Sequence, residues 1–204
     1  MIWTAHRKLL VGTALWAGMF ATASAQETAN APQEKPIDPK TTTRLTLGST
    51  SGTPGTSTVV PIYFTPAEGA VVGRLRLEIN FVSRNLKFAR LDAGIAAELG
   101  KVELHTDIQE SKNEQGLETS TLALVATAPS SDSAQKGIPA GLLGYLTFQI
   151  NEGAPPATIS LRASAEAAES ATGKPVADVR AFGAQVEVMA PGEQPMVVCF
   201  FFSH

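Results

Sequence analysis

Val72-Gly73-Arg74-Leu75-Arg76-Leu77-Glu78-Ile79-Asn80-Phe81-Val82 is the stretch that decides the fold. Leu75, Leu77, Ile79 and Phe81 alternate with Arg74, Arg76, Glu78 and Asn80. A period of two puts one set in a core and the other in water, so this is a half-buried strand. Further short apolar runs lie on both sides, separated by Gly, Pro, Ser and Asn clusters. That is the pattern of an all-β sandwich or barrel.

Toward the C-terminus, Leu86, Phe88 and Leu91 extend the core after a turn at Ser83-Arg84-Asn85. Residues 95–99 suit one helical turn. Residues 102–108 alternate weakly, and 110–116 are charged and read as a hairpin loop. A strand follows at 119–127 with Leu122 and Leu124 inward, and another at 142–150 with Leu146, Phe148 and Ile150 inward. Residues 158–161 read as a short strand, 163–174 as an alanine-rich excursion, and 182–189 as the closing strand with Val186 and Val188 inward. Toward the N-terminus, a strand at 44–47 precedes the loop STSGTPGTST and the β-branched run from Thr58 to Phe64. Pro61 has no N–H for a ladder, so its strand lies at an edge or breaks at a bulge. The count is eight or nine strands with almost no helix.

A chain of 204 residues leaves room for one such domain. Its net charge is −3, and its longest basic stretch is Arg7-Lys8, which argues against nucleic acid as a partner. A single cysteine, Cys199, excludes an internal disulfide framework and any multi-cysteine zinc site. Residues 1–25 read as a signal peptide: His6-Arg7-Lys8 is the positive region, 9–20 the apolar region, and Ala23-Ser24-Ala25 the cleavage site. The apolar region is shorter than the roughly 20 residues a transmembrane helix needs. The protein is therefore expected to be secreted or associated with the cell envelope. Residues 26–41 form a polar, proline-bearing linker, 42–190 the folded domain, and 191–204 a linker with an apolar tail.

The order of these features resembles a cohesin module. Val59-Val60-Pro61, then Val72-Gly73 opening the alternating strand, then Asn85-Leu86-Lys87-Phe88 carry the first half of the likeness. Gly141-Leu142-Leu143-Gly144-Tyr145-Leu146-Thr147-Phe148 and Gly183-Ala184-Gln185-Val186-Glu187-Val188 carry the second. The resemblance implies a two-sheet antiparallel β-sandwich of jelly-roll topology with about nine strands, related to cellulose-binding modules. It also implies that one sheet face docks a dockerin on another protein. Any calcium would then sit on that partner, and no cofactor is expected on this chain. Where such modules commonly carry Tyr-Asp-Pro after the long strand, this chain has Phe81-Val82-Ser83. It keeps the aromatic and loses the Asp-Pro turn.

By the same resemblance, Arg74, Arg76, Glu78 and Asn80 lie in the docking sheet. Their outward side is either the partner-binding surface or a plain solvated face of the kind antiparallel sandwiches carry. Direct binding of polysaccharide is the alternative function. It calls for exposed rings that stack on sugars, and both tryptophans, Trp3 and Trp16, fall in the signal peptide. Tyr63, Tyr145 and the phenylalanines remain, most of them at inward positions by alternation.

No catalytic constellation stands out. His105 reads as a strand histidine and His204 is the last residue given. The acidic pairs Asp107 with Glu110 and Glu166 with Glu169 lack a glycosidase setting. Thr172-Gly173-Lys174 lacks the glycine loop of a phosphate site. The run Met196-Val197-Val198-Cys199-Phe200-Phe201-Phe202 is uninterruptedly apolar. Left exposed, it is an aggregation hazard. It reads as a tail packed on the sandwich, as a strand donated to another protein, or as a recognition tag. Pro191-Gly192 and Pro195 decouple it from the last strand and favour the tag. Cys199 would then be a pairing thiol in an oxidising compartment.

Overall fold

The structure is a computed structural model that describes residues 37–112, 116–129, 137–169, 172–190 and 192–193. The expected signal peptide, most of the 26–41 linker, and the tail with Cys199, Phe200, Phe201 and Phe202 lie outside the described residues.

Among the described residues, eleven strands and one short helix follow in chain order. They are β1 (Thr43–Leu47), β2 (Thr50–Gly52), β3 (Ser57–Thr65), β4 (Val72–Val82), β5 (Leu86–Ala93), α1 (Ile95–Gly100), β6 (Glu103–Lys112), β7 (Glu118–Thr127), β8 (Gly141–Ile150), β9 (Ala157–Glu169), β10 (Val179–Phe182) and β11 (Ala184–Val188). They form a five-stranded sheet, β10-β1-β3-β8-β5, and a six-stranded sheet, β2-β11-β9-β4-β7-β6. The two pack as a jelly-roll sandwich.

Both terminal strands are shared between the sheets, which accounts for the strands beyond nine. The chain passes from β1 in one sheet to β2 in the other at Gly48-Ser49, and from β10 to β11 at Gly183. A Cβ on Gly48 would lie 2.6 Å from the Pro61 ring, and one on Gly183 would lie 2.1 Å from the Leu161 carbonyl oxygen. Only glycine permits those crossings. The expected antiparallel pairing needs the same correction. β1 runs parallel to β10 and β2 parallel to β11. Side-chain alternation encodes which face is buried, not strand direction.

The alternating stretch is β4, and its inward Leu75, Leu77 and Ile79 are 0% exposed. The Ala-rich excursion is corrected to the second half of β9, which runs continuously from Ala157 to Glu169. Its Ala163, Ala165 and Ala167 pair with Ile79, Leu77 and Leu75. Small residues thus sit beside large ones on the inner face, and alanine is too short to betray an inward position by hydropathy. The loop expected at 110–116 also begins later, because β6 pairs with β7 as far as Lys112 opposite Glu118. β6 is an edge strand, and its charged residues block pairing with a further strand. Pro61 lies in β3, an interior strand. Its carbonyl accepts from the Gly48 N–H at 2.9 Å, so its nitrogen faces the β1 side, where the ladder has already ended at Leu47 opposite Ile62 and needs no N–H; the register shift between Ile62 and Tyr63 lies on the other side, against β8.

In the core, the Phe148 ring meets Phe81 edge-on at 5.4 Å and Phe88 at 5.9 Å between centroids. Thr147 is 4% exposed, and its hydroxyl has no hydrogen-bond partner among the described residues. Thr147→Val removes an unpaired buried hydroxyl while keeping the shape. It should raise stability by about 1 kcal/mol, read as an upward shift in urea midpoint. A drop of similar size would show that the hydroxyl is satisfied.

Candidate functional site

The outward side of β4 lies between β9 and β7, with β6 beyond, and the register assembles side chains into rows across the six-stranded sheet. Arg74 stands between Ala168 and Thr127, with Glu103 next. Arg76 stands between Glu166 and Val125, with His105 next. The row of Glu78 contains Ser164, Ala123 and Asp107, and that of Asn80 contains Arg162, Thr121 and Gln109. All four expected residues therefore share one face. The sequence did not reveal Arg162, Glu166, His105 and Asp107 as part of it, because they come from strands up to about 90 positions away in the chain.

Most outward residues of β7 are short, namely Thr119, Thr121, Ala123 and Thr127, and all are half-buried. They make a flat middle between two charged flanks. The Arg76 guanidinium donates to the Glu78 carboxylate at 2.6 Å and 3.0 Å, and the Thr121 hydroxyl donates to the Asn80 carbonyl oxygen at 2.6 Å. Among the described residues, Arg74, Arg162 and His105 are exposed and have no ion pair. Exposed ion pairs such as Arg76 with Glu78 contribute little to stability, so this side chain can change partner at small cost. At the Arg74 end, a depression of about 660 Å³ is lined by Arg74, Arg76, Glu166, Pro175 and Val176.

The arrangement offers charge and flatness. Asp107 and Glu110 point to opposite faces of β6 by alternation. Glu169 accepts a hydrogen bond from Thr172 at 2.8 Å in the turn that holds Gly173 and Lys174, and the next element after that turn is the strand β10. Among the described residues, no three His, Cys, Asp or Glu side chains cluster to hold a metal. No helix among the described residues is long and apolar enough to cross a membrane.

Most rings lie inward, as alternation leads one to expect, and the two tyrosines are the exposed ones among the described residues. Phe64, Phe81 and Phe148 are buried, but Tyr63 and Tyr145 are 47% and 36% exposed. They point outward on neighbouring strands, because Tyr63 alternates with the buried Ile62 and Phe64, and Tyr145 precedes the buried Leu146.

No protein-family model and no curated protein matches the chain. Solved structures do. The sixth cohesin of scaffoldin B from Acetivibrio cellulolyticus, solved in complex with a dockerin, superposes with a TM-score of 0.54 at 19% identity, over 73% of this chain and 100% of the cohesin chain. The third cohesin of ScaC from Acetivibrio cellulolyticus, also solved with a dockerin, gives 0.55 at 20% identity over 72% and 99%. A non-cellulosomal cohesin from the archaeon Archaeoglobus fulgidus gives 0.50 at 19% identity over 72% and 91%. The fold of this chain is that of a cohesin module.

Proposed function

We propose that the chain is an exported, non-catalytic interaction module that docks a protein partner through the outer face of the six-stranded sheet. A flat face of β9, β4, β7 and β6 with unpaired arginines beside carboxylates carries this reading. Such a face steers and orients a partner of complementary charge. The partner favoured is dockerin-like, with any calcium on the partner, in an extracellular or envelope-bound assembly that acts on polysaccharide. The solved neighbours bound to dockerins support the partner class.

Capture from the secretome of the source organism tests this. Full chain on a resin should retain a protein in calcium and release it in chelator, and Arg74→Glu with Arg76→Glu should abolish the capture. Retention indifferent to both chelator and charge reversal would overturn the proposal.

Direct polysaccharide binding is the second reading, and the outward Tyr63 and Tyr145 favour it. It predicts retention on insoluble polysaccharide without any other protein, with loss on Tyr63→Ala and Tyr145→Ala.

A further inference from the structure

The outer face of the five-stranded sheet carries an apolar strip. Val59 is 44% exposed, Tyr63 47% and Tyr145 36%, with the half-buried Pro61 and Leu142 between them. Pro61 pairs with Tyr145 and Tyr63 with Leu142, so the five side chains are contiguous across β3 and β8. The chain also holds a second apolar feature, the run of residues 196–202, which contains no charge.

The path of the chain brings the two together. Val188 pairs with Gly52, and the Met189 N–H donates to the Gly52 carbonyl at 2.9 Å. A Cβ on Gly52 would lie 2.8 Å from the Ile150 side chain and 3.6 Å from Thr58. The chain therefore leaves the six-stranded sheet at the end of the sandwich where, across the core, β3 begins and β8 ends, which is the Val59 end of the strip.

Val59 to Tyr63 is four steps along a strand, about 13 Å, and seven extended residues reach about 23 Å. The three steps from Glu193 to Met196 add about 10 Å, the spacing of two packed sheets, so the run can round the end of the sandwich and still cover the strip.

We propose that residues 196–202 of this same chain lie over the strip of Val59, Pro61, Tyr63, Leu142 and Tyr145. Tethered by so short a linker, the run meets the strip at an effective concentration in the millimolar range, which an external apolar ligand must outcompete. An apolar strip and an apolar run, each an aggregation liability if left uncovered, then cover one another. This takes the packed-tail reading of the sequence over the tag. It leaves the six-stranded face free for a partner.

The protein carries its own reporters, because Cys199 is its one cysteine and Tyr63 and Tyr145 are its two tyrosines. In the full chain, Cys199 should react with Ellman's reagent at least tenfold more slowly in buffer than in denaturing urea, independent of protein concentration. Val59→Asp with Tyr63→Ser should restore the fast rate, and Arg76→Glu on the other sheet should not. From the tail side, Phe200→Asp with Phe202→Asp should raise N-acetylimidazole modification of Tyr63 and Tyr145 severalfold, read by mass spectrometry. That arm keeps the test open should the strip variant fail to fold. The proposal is overturned by a Cys199 rate in buffer equal to that in urea, or by tyrosine modification unmoved by the tail substitutions. Protection lost on dilution would assign the strip to a second copy and overturn it too. So would retention of the parent chain on insoluble polysaccharide through the two tyrosines.

Discussion

Phe148→Ala should cost about 3 to 5 kcal/mol, a large part of the 5 to 15 kcal/mol that holds a typical domain. The ring is 0% exposed on β8, an interior strand of the five-stranded sheet, and it bridges the layers. Phe81 from β4 in the opposite sheet meets it edge-on, and Phe88 from the neighbouring β5 meets it on the same layer. Removing the ring leaves both partners facing a void, and edge-to-face pairs contribute beyond the area they bury. Phe148→Leu keeps most of the volume and should cost much less. Urea melts followed by circular dichroism separate the two variants. A parent-like midpoint for Phe148→Ala would mean that the strand is shifted by one residue, which would turn this side chain to solvent.

That core was legible in the sequence because β4 and β8 have one wet or half-wet face, and alternation marks which residues point inward. Elements without that contrast were not legible. In β9, Ala163, Ala165 and Ala167 face Ile79, Leu77 and Leu75, and a methyl group fills an inner position without a hydropathy signal. In β6, Glu110 and Lys112 occupy strand positions because an edge needs pairing on one side only. The division of β1 from β2 and of β10 from β11 rests on Gly48 and Gly183, where the backbone must approach Pro61 and Leu161. Each glycine reads locally as an ordinary turn.

The face proposed for docking divides the same way. Arg74, Arg76, Glu78 and Asn80 are neighbours in the chain, and one strand's period places them together. Arg162, Glu166, His105 and Asp107 join them through pairings of β4 with β9 and of β6 with β7. Those registers are set by long-range core packing, which no local pattern carries.

Arg74→Glu combined with Arg76→Glu should lower affinity for a captured protein partner roughly a hundredfold or more. Like charges brought together at an interface cost several kcal/mol, and each 1.4 kcal/mol is a factor of ten. Arg74 has no ion pair among the described residues, so its reversal removes a cation that the fold itself does not use. Reversal at Arg76 acts further, because that side chain now neutralises Glu78 and stands beside Glu166 in the register. With both changes, carboxylates line the Arg74 end of the face, and an acidic surface on the partner is repelled instead of drawn in. The association rate should fall and its salt dependence should change sign, while the melting temperature stays near that of the parent, because both side chains are solvent-facing. Calorimetry or surface plasmon resonance at two ionic strengths reads both effects. Tyr63→Ala with Tyr145→Ala, on the opposite sheet, is the matched control and should leave protein binding unchanged. Affinity lost in that control and kept in the charge-reversed variant would move the interface to the five-stranded sheet and reject the face built on β4.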